Sequence, residues 1–490
     1  MSELPEGWEK TSLGEIATWG SGGTPSRNEP SFYGGSIPWI KSGELNTRYV
    51  KSTEENITEA AVSGSSAKIF PAGSVAIAMY GATIGKTAIL GVDAATNQAC
   101  AVGIPIEELT ATEFLYRLLQ NEKDAFIEKG KGGAQPNISQ AVIKAHEVSL
   151  PPLAEQTRIA AKLDELLAQV DTLKARIDGI PALLKRFRQS VLAAAVSGRL
   201  TGEWREAQTS AKNGAAVIRN DQLAKTALLE RQPELKKKKS SIESDIDESY
   251  LFPLPEGWSF TTWGKISEWI TYGFTRPMPK SDAGVKLLTA KDVQRFELEL
   301  TSCGWTTTEA FEALSDKDKP AKGDLLITKD GSIGRAALVY TDEEFCINQS
   351  VAVCWLRSTT MNKRYLELLS NSDFTQRFVK DKAQGMAIQH LSIIDFAKCP
   401  VPVPSNEEQD EIVRRVEQLF AFADQLEARV KAAQTRIDRL TQSILAKAFR
   451  GELVPQDPND EPASLLLERI KAQRAAAPKA RRGRRAATPS

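Results

Sequence analysis

One segment of the sequence could in principle bind the phosphates of a nucleotide. Thr83-Ile-Gly-Lys-Thr87 resembles the end of a phosphate-binding loop, in which a lysine contacts the phosphates and a hydroxyl binds magnesium. Gly81 is one residue too close to Gly85 for the spacing GxxxxGK[ST]. A similar segment later in the chain has Arg335-Ala336 in place of the lysine and the hydroxyl. The pattern therefore argues against nucleotide binding.

Other catalytic patterns are also incomplete. Asp221 and Glu234-Leu-Lys236 could hold a metal ion over a phosphodiester, but no predicted strand fixes them. A methyltransferase needs an Asn/Asp-Pro-Pro-aromatic loop for an extruded base, and the sequence has none. His146 and His390 lie in different halves of the chain, which disfavours a zinc site or a histidine base. We therefore expect no catalytic residue, no metal site and no enzymatic activity.

Composition indicates a folded protein of several domains. The 490 residues exceed one compact domain, and 41% hydrophobic with 26% charged residues is ordinary for a globular protein. The formal net charge is zero, so contact with nucleic acid would need local basic patches, such as Lys236 to Lys239 and the segment from Lys471 onward. Residues 1–10 are polar and no run of about 18 residues is apolar, which predicts a cytoplasmic location. The five scattered cysteines are expected to be reduced and buried.

The sequence contains an internal repeat of about 250 residues. Leu4-Pro-Glu-Gly-Trp8 returns as Leu254-Pro-Glu-Gly-Trp258, and Asn97-Gln98 returns as Asn348-Gln349. Each copy ends with a Glu-Gln pair, a Gln-Ser-aliphatic-Leu-Ala segment and a closing glycine. These landmarks are Glu155-Gln156, Gln189 and Gly198 in the first copy, and Glu408-Gln409, Gln442 and Gly451 in the second.

Between these landmarks each copy has apolar residues at alternating spacings of four and three. The series runs from Ile159 to Val191 in the first copy and from Ile412 to Ile444 in the second. This heptad pattern predicts two coiled-coil helices of roughly 40 to 45 residues each, the first of them bent at Gly179 and Pro181. The simplest way to bury both apolar seams is to pair the two helices antiparallel, with pseudo-twofold symmetry.

The predicted fold class is α+β, with two globular α/β heads separated by two long antiparallel coiled-coil helices. The boundaries are a first head at 1–150, a helical region at 151–200 and a polar, partly helical linker at 201–250. The second head follows at 251–400, with a second helical region at 401–452 and a basic tail at 453–490. Because the heads share landmarks but differ elsewhere, we expect the same fold with different specificity.

This layout resembles the specificity subunit of type I restriction-modification systems over nearly the whole chain. The resemblance is carried by Leu150-Pro-Pro-Leu-Ala-Glu-Gln156, by Leu184-Lys-Arg-Phe-Arg-Gln-Ser-Val-Leu192, and by the segment from Glu411 through Phe420 to Leu453. It implies that the heads are target-recognition domains, each reading one half of a split double-stranded DNA target. The helices would fix the spacer between the halves.

The resemblance also implies partners and cofactors. The chain would bind two modification subunits, which use S-adenosylmethionine to methylate adenine, and two restriction subunits, which use ATP and magnesium. The chain itself would bind no cofactor and would not contact a membrane. The interruption at Gly179-Ile-Pro181 departs from a straight helix.

If the heads read DNA, they need Arg and Lys for phosphates and guanine edges, and Asn and Gln for adenine edges. Candidate residues on predicted loops of the first head are Thr24, Ser26, Arg27, Lys41, Ser42, Lys86, Gln135 and Asn137. Those of the second head are Thr275, Arg276, Lys280, Lys291, Lys329, Arg335, Gln389 and His390. The alternative function is a coiled-coil scaffold without sequence-specific DNA binding.

Overall fold

The structure is a computed structural model that describes residues 4–130, 137–208, 213–238, 245–383 and 389–476. The chain forms two compact units, and the bounds of these units do not coincide with the two copies of the sequence repeat. One unit consists of residues 1–178 with 431–490, and the other of residues 179–430. Each unit therefore holds one head and a part of each helical region. Within the described ranges, no helix combines the length and apolar character that a membrane span requires.

The first head is a mixed α/β domain built on three sheets, of two, five and four strands. Its helices are Leu13–Ile16, Glu59–Gly64, Thr112–Asn121, Lys123–Lys129 and Gln140–Lys144, with short 3-10 turns at Pro30–Phe32, Ser42–Glu44 and Gly81–Thr83. Its strands are Glu9–Ser12, Ala17–Ser21, Tyr33–Ile40, Tyr49–Val50, Asn56–Ile57, Ile69–Phe70, Val75–Ala78, Thr87–Leu90, Ala94–Thr96, Cys100–Pro105 and Glu147–Leu150. The strands Val75–Ala78 and Thr87–Leu90 are buried at every position, because their short apolar runs are covered on both faces.

The second head has the same kind of architecture. Its helices are Trp263–Ile266, Thr308–Glu312, Lys363–Ser370, Asp373–Lys382 and Ile393–Ala397, with 3-10 turns at Glu248–Tyr250 and Asp316–Asp318. Its strands are Ser259–Thr262, Trp269–Tyr272, Val285–Leu288, Val293–Gln294, Glu297–Leu298, Gly304–Thr306, Leu325–Thr328, Ala336–Leu338, Phe345–Ile347, Val351–Trp355 and Pro400–Val403.

The two heads repeat one sheet topology, which confirms the predicted internal repeat. In the first head the antiparallel order is Ala17–Ser21, Cys100–Pro105, Val75–Ala78, Thr87–Leu90. In the second head the same order is Trp269–Tyr272, Val351–Trp355, Leu325–Thr328, Ala336–Leu338. Matching strands therefore place their connecting loops at matching edges of the two sheets.

The helical regions form one interrupted and one continuous helix. The first region consists of Leu153–Asp178 and Ile180–Val196, and the second is a single helix of 43 residues, Asn406–Ala448. The interruption falls at Gly179, where the sequence predicts the bend, and Gly179 itself keeps helical backbone angles, with a φ of −76° and a ψ of −21°. Pro181 accounts for the break, because it cannot donate a backbone hydrogen bond to the preceding turn.

The helices pair antiparallel within each unit, as predicted. In one unit Lys174 Nζ lies 3.2 Å from Asp438 Oδ1. Asp178, which lies later in the first helical region, accepts from Gln434, which lies earlier in the second, so the two helices run in opposite directions. In the other unit Arg188 Nη2 lies 2.6 Å from Asp424 Oδ1. The seam departs from the predicted heptad at Leu173 and Leu440, which are 48% and 46% exposed. A 3.6-residue helix drifts relative to a strict heptad, so a seam of this length need not stay buried at every position.

Further helices follow the closing glycine of each repeat copy. The predicted linker contains the helices Gly202–Glu206, Gly214–Arg231 and Pro233–Lys238, and the predicted tail contains Ala463–Ala476. Gly214 N donates to Gly257 O over 2.7 Å, and Ala463 N donates to Gly7 O over 2.9 Å. Gly214–Arg231 thus docks on the second head, and Ala463–Ala476 docks on the first. The basic residues from 477 onward lie outside the described residues.

The repeat landmarks attach each head to the long helices. Trp8 Nε1 donates to Glu155 Oε2, and Trp258 Nε1 donates to Glu408 Oε2, each over 3.0 Å. The neighbouring Gln156 accepts a hydrogen bond from Ala111 N and donates to backbone carbonyls. All three acidic and amide landmarks named here are buried. These contacts fix the end of each head on the first turn of a helix.

Candidate nucleic-acid interface

A polar loop cluster lies at the same sheet edge in both heads. In the first head, the loop after Ala17–Ser21 meets the turn after Ala94–Thr96, where Gly23 N donates to Thr96 O over 2.8 Å. Thr24 Oγ1 donates to Gln98 Oε1 across this junction. In the second head, Gln349 N donates to Phe274 O over 2.9 Å, next to Thr275. We call these two sites the strand-end clusters.

The two residues of the Asn-Gln pair have different roles in each strand-end cluster. Asn97 Oδ1 accepts from Ala99 N over 3.2 Å, and Asn348 Oδ1 accepts from Ser350 N over 3.1 Å. The asparagines thus shape the turn, whereas Gln98 and Gln349 are exposed beside the loop threonines. Sequence reasoning noted both pairs only as repeat landmarks. Their polar character at the same position in both copies was the signal that could have added the glutamines to the candidates.

The basic candidates of the first strand-end cluster form an ion-pair group around Glu55. Arg27 donates to both Glu55 carboxylate oxygens, over 2.7 and 2.9 Å, and Lys41 Nζ lies 2.7 Å from Glu55 Oε2. Arg27 and then Lys41 lower the pKa of Glu55 to about 2. The guanidinium of Arg27 also stacks over Tyr33, 4.4 Å from the ring centroid. Glu54 Oε2 also lies 3.6 Å from Lys41 Nζ, so the group carries two positive and two negative charges on an exposed surface.

The second strand-end cluster lines an open groove. The groove has a volume of about 940 Å³, and Trp305 forms part of its wall. It brings together four of the predicted residues with the glutamine of the repeat, namely Thr275, Arg276, Lys280, Lys291 and Gln349. The side chain of Lys291 is 71% exposed. The lining thus combines three cations with one carboxylate, Asp282, two amides and an indole. This set suits a polyanion with flat bases.

A second group of candidates lies on the turns that follow the central strands. Tyr80 pairs with Asn137, and Asp330 pairs with His390, as isolated antiparallel bridges at matching positions. Gly331 N donates to Gln389 O over 3.0 Å, so Gln389 and His390 adjoin the turn that carries Lys329. Gln135 lies outside the described residues.

Not all candidates present their polar atoms to solvent. Lys329 is 6% exposed, its ammonium lies 3.1 Å from Asp330 Oδ2, and Asp330 Oδ1 lies 2.5 Å from His390 Nδ1. Lys329 therefore supports its turn from inside. Ser26 Oγ accepts from Asn28 N over 3.3 Å, and Ser42 opens the 3-10 turn Ser42–Glu44. The Ser26 hydroxyl thereby holds loop backbone in place.

The catalytic patterns do not assemble. The chain after Lys86 continues as the strand Thr87–Leu90, not as the helix that a phosphate-binding loop needs at its end. Asp221 is buried and accepts from Thr359 Oγ1 and Thr360 N over 2.5 and 2.9 Å, and burial raises its pKa. Across the described ranges, no group of three or more His, Cys, Asp or Glu residues could hold a metal ion. Asp221 therefore attaches a helix to the second head.

The sequence matches the family model of the type I restriction modification DNA specificity domain over residues 5–182 and 265–434. It is 35% identical over 391 residues to the type I restriction enzyme EcoBI specificity subunit of Escherichia coli, covering 78% of this chain and 75% of the relative. It is 30% identical over 497 residues to the EcoKI specificity subunit of Escherichia coli strain K12, covering 97% of each.

Two solved structures share the fold. A chain from a structure on complex assembly and conformational transition of the type I R-M system aligns with a TM-score of 0.61 and 18% identity, over 92% of this chain and 100% of the other. The HsdS subunit from Thermoanaerobacter tengcongensis aligns with a TM-score of 0.52 and 19% identity, over 92% of this chain and 98% of the other.

Proposed function

Because this chain belongs to the family of type I restriction-modification DNA specificity subunits, we propose that each of its heads reads one half of a split DNA target. The chain is the DNA-recognition component of such a system and is not itself the enzyme. One observation is the main support for recognition of one half-site by each head. A cluster with a threonine and an exposed glutamine recurs at the same sheet edge of both heads, with a different set of charged residues around it.

The residues proposed to contact DNA differ in role. Exposed cations neutralise phosphates and contact guanine edges, and amides contact adenine edges. We assign direct contact to the candidates at the strand-end clusters and to the turn residues with accessible polar atoms. They are Thr24, Arg27, Lys41, Lys86, Asn137, Thr275, Arg276, Lys280, Lys291, Arg335, Gln389 and His390. Ser26 and Lys329 support the loops, and Ser42 and Gln135 are retained as contacts on sequence grounds alone.

The proposed partners follow from the family. The chain binds two modification subunits, which carry S-adenosylmethionine, and it recruits two restriction subunits, which use ATP and magnesium. Exposed apolar residues of the long helices support a docking role, among them Leu173, Leu183 and Phe422. Co-expression with a modification subunit is expected to keep the chain soluble, since these residues would then be covered. The proposed location is the cytoplasm.

A head exchange tests the two-part reading. Residues 1–150 are replaced by the first head of another family member, and the complex with its modification subunits is used to select targets from random DNA. One half of the selected target should change and the other should remain. A change in both halves would contradict the assignment of one half to each head.

The alternative, a scaffold without sequence preference, predicts a different result in the same selection. A scaffold would enrich no sequence, and its binding to random and to selected duplexes would be equal. The recurrence of polar loop clusters away from the helical seam favours recognition, because a scaffold needs only the seam.

A further inference from the structure

In each head, one amide side chain connects a loop to a candidate DNA-binding cation. In the first head, Asn46 Oδ1 accepts from Lys86 Nζ over 2.8 Å, and Asn46 Nδ2 donates to Gly43 O over 2.5 Å. In the second head, Gln294 Oε1 accepts from Arg335 Nη1 over 2.9 Å, and Gln294 Nε2 donates to Lys291 O over 2.8 Å. Residue types differ, but the arrangement is the same.

A second hydrogen bond orients each amide independently of its bond to the cation. Each donates to the carbonyl three residues earlier in its own loop, so its oxygen has one preferred direction. Lys86 and Arg335, the cations that bind these oxygens, immediately precede the matching strands Thr87–Leu90 and Ala336–Leu338. A long basic side chain held in this way has already lost rotamer freedom, and this loss need not accompany DNA binding.

Both loops are also braced on a long helix, two residues after the amide. In the first head, Arg48 Nη2 lies 2.7 Å from Asp164 Oδ2 on the helix Leu153–Asp178. Arg48 O accepts from Ile89 N over 2.7 Å, which ties the same loop to the strand after Lys86.

In the second head the brace is aromatic. Phe296 packs against Phe420 of Asn406–Ala448, with ring centroids 6.0 Å apart. Arg364 stacks over Phe296 at 5.4 Å and lies 3.2 Å from Glu417. The interval from Glu155 to Asp164 equals the interval from Glu408 to Glu417. Both loops therefore contact equivalent positions of the repeated helix. Phe296 itself has a φ of 67°, which packing and its hydrogen bond to Ala336 O maintain.

We propose that Asn46 and Gln294 are positioning residues for DNA recognition. They hold Lys86 and Arg335 in the orientation that one half-site requires, and the helix brace fixes the loop that carries them. The proposal rests on the proposed function, in which Lys86 and Arg335 contact DNA. It adds a pair of neutral residues, one in each head, to the residues that determine affinity for a half-site.

A double-mutant cycle tests the proposal in the complex with modification subunits. Gln294→Ala, Arg335→Ala and the double variant are compared for binding to the selected duplex and to duplexes altered in one half. Gln294→Ala should weaken binding about fivefold, an effect of the size expected for one modest contact. The loss should concern only the half-site of the second head. The double variant should bind no more weakly than Arg335→Ala, because Gln294 acts through Arg335.

The control is Glu297→Ala in the same hairpin, whose side chain is exposed, and it should bind like the unaltered complex. Asn46→Ala and Lys86→Ala form the matching cycle in the first head, with loss confined to the other half-site. Each variant is also compared by thermal unfolding, since a positioning role leaves the melting temperature near that of the control.

Additive losses in either cycle, or weaker recognition of both half-sites by one variant, would overturn the proposal. Gln294→Ala binding as tightly as the unaltered complex would also overturn it. If the unaltered complex bound all duplexes equally, the proposed function itself would fail. That outcome is seen before any variant is measured, so the two failures are distinct.

Discussion

Two buried glutamates hold the heads to the long helices through different partners. Glu155 accepts from Trp8 and from Gln456 Nε2, the latter over 3.1 Å, whereas Glu408 accepts from Trp258, from Thr201 and from Arg205 Nη1, which lies 2.5 Å away. Burial raises the pKa of Glu155 above the ordinary value of 4.5. One repeat thus pairs its buried acid with a cation, and the other with a neutral amide.

This difference predicts a pH-dependent stability in the unit of the first head. Between the ordinary and the raised pKa of Glu155, the folded state keeps a proton that the unfolded state has released. Stability therefore falls as pH rises through this interval. Glu155→Gln should cost about 1–2 kcal/mol at low pH, since one donor loses its acceptor, and the cost should shrink as pH rises. Thermal unfolding at several pH values measures it.

The matched control is Glu408→Gln in the second unit. Removing this carboxylate leaves the Arg205 guanidinium, which also donates to Gly198 O, without its anionic partner, so the cost should be larger, about 3 kcal/mol. Equal costs for both variants at every pH would contradict the distinct roles of the two acids.

A second residue-scale prediction separates surface cations from supporting ones. Arg276 is exposed at the groove, whereas Lys329 is buried against Asp330. Arg276→Ala should reduce the salt slope of DNA binding by about one unit, which corresponds to one lost phosphate contact. Lys329→Met should leave the slope unchanged and lower the melting temperature. The reverse pattern would show that Lys329 contacts DNA.

At this scale the sequence predicted residue types better than their surroundings. Loop position identified Arg276 and Lys291 as accessible cations, and the groove contains both. It could not reveal that Lys329 points inward, because the acceptor Asp330 and the partner His390 come together only through the fold. Gln98 was not predicted as a DNA contact, because its recurrence with Asn97 in both copies indicated only the repeat.

At the scale of elements, the helix Ala463–Ala476 has an unexpected role. Leu467 is 5% exposed and belongs to the core of the first head, whereas Leu465, two residues earlier, is 51% exposed. Leu467→Ala should destabilise this unit by about 2–4 kcal/mol, and Leu465→Ala should have little effect. Thermal unfolding compares the two variants. A loss of equal size for both would contradict the docking of this helix.

The elements that the sequence predicted best were the long helices. Their heptad pattern extends over many turns, and no other structure satisfies it. The break after Asp178 follows from Gly179 and Pro181, which the sequence also identified. The helix Ala463–Ala476 was missed because its basic end at Lys471 and Arg474 resembled a solvated tail, although Leu466, Leu467 and Ile470 have helical spacing.

At the scale of the whole molecule, the proposed role of the helices as a ruler is testable. One heptad is inserted into each long helix, after Gln169 and Phe422, which keeps the apolar seam. Seven residues add about 10 Å of helix, and about 3 base pairs of DNA have that length. Selection from random DNA should return both half-sites with a longer spacer. An unchanged spacer would show that the helices do not set the distance.

The internal repeat made the molecule's organisation predictable, because matching landmarks required two heads and two helical regions. The composition of each compact unit was not predictable. Contacts such as Gly451 with Pro5, where an added Cβ would collide with the proline ring, join residues that are distant in sequence. No local pattern indicates which helical region supports which head.

The division into units has a consequence for how the protein is made. Residues 179–430 are consecutive, so the unit of the second head can close while the ribosome is still adding the remainder of the chain. The first head leaves the ribosome earliest, yet its unit also needs residues 431–476, including the core residue Leu467. The part of the protein that is synthesised first therefore belongs to the unit that is completed last, and its apolar contact surface for the helix Ala463–Ala476 stays uncovered for the longest time.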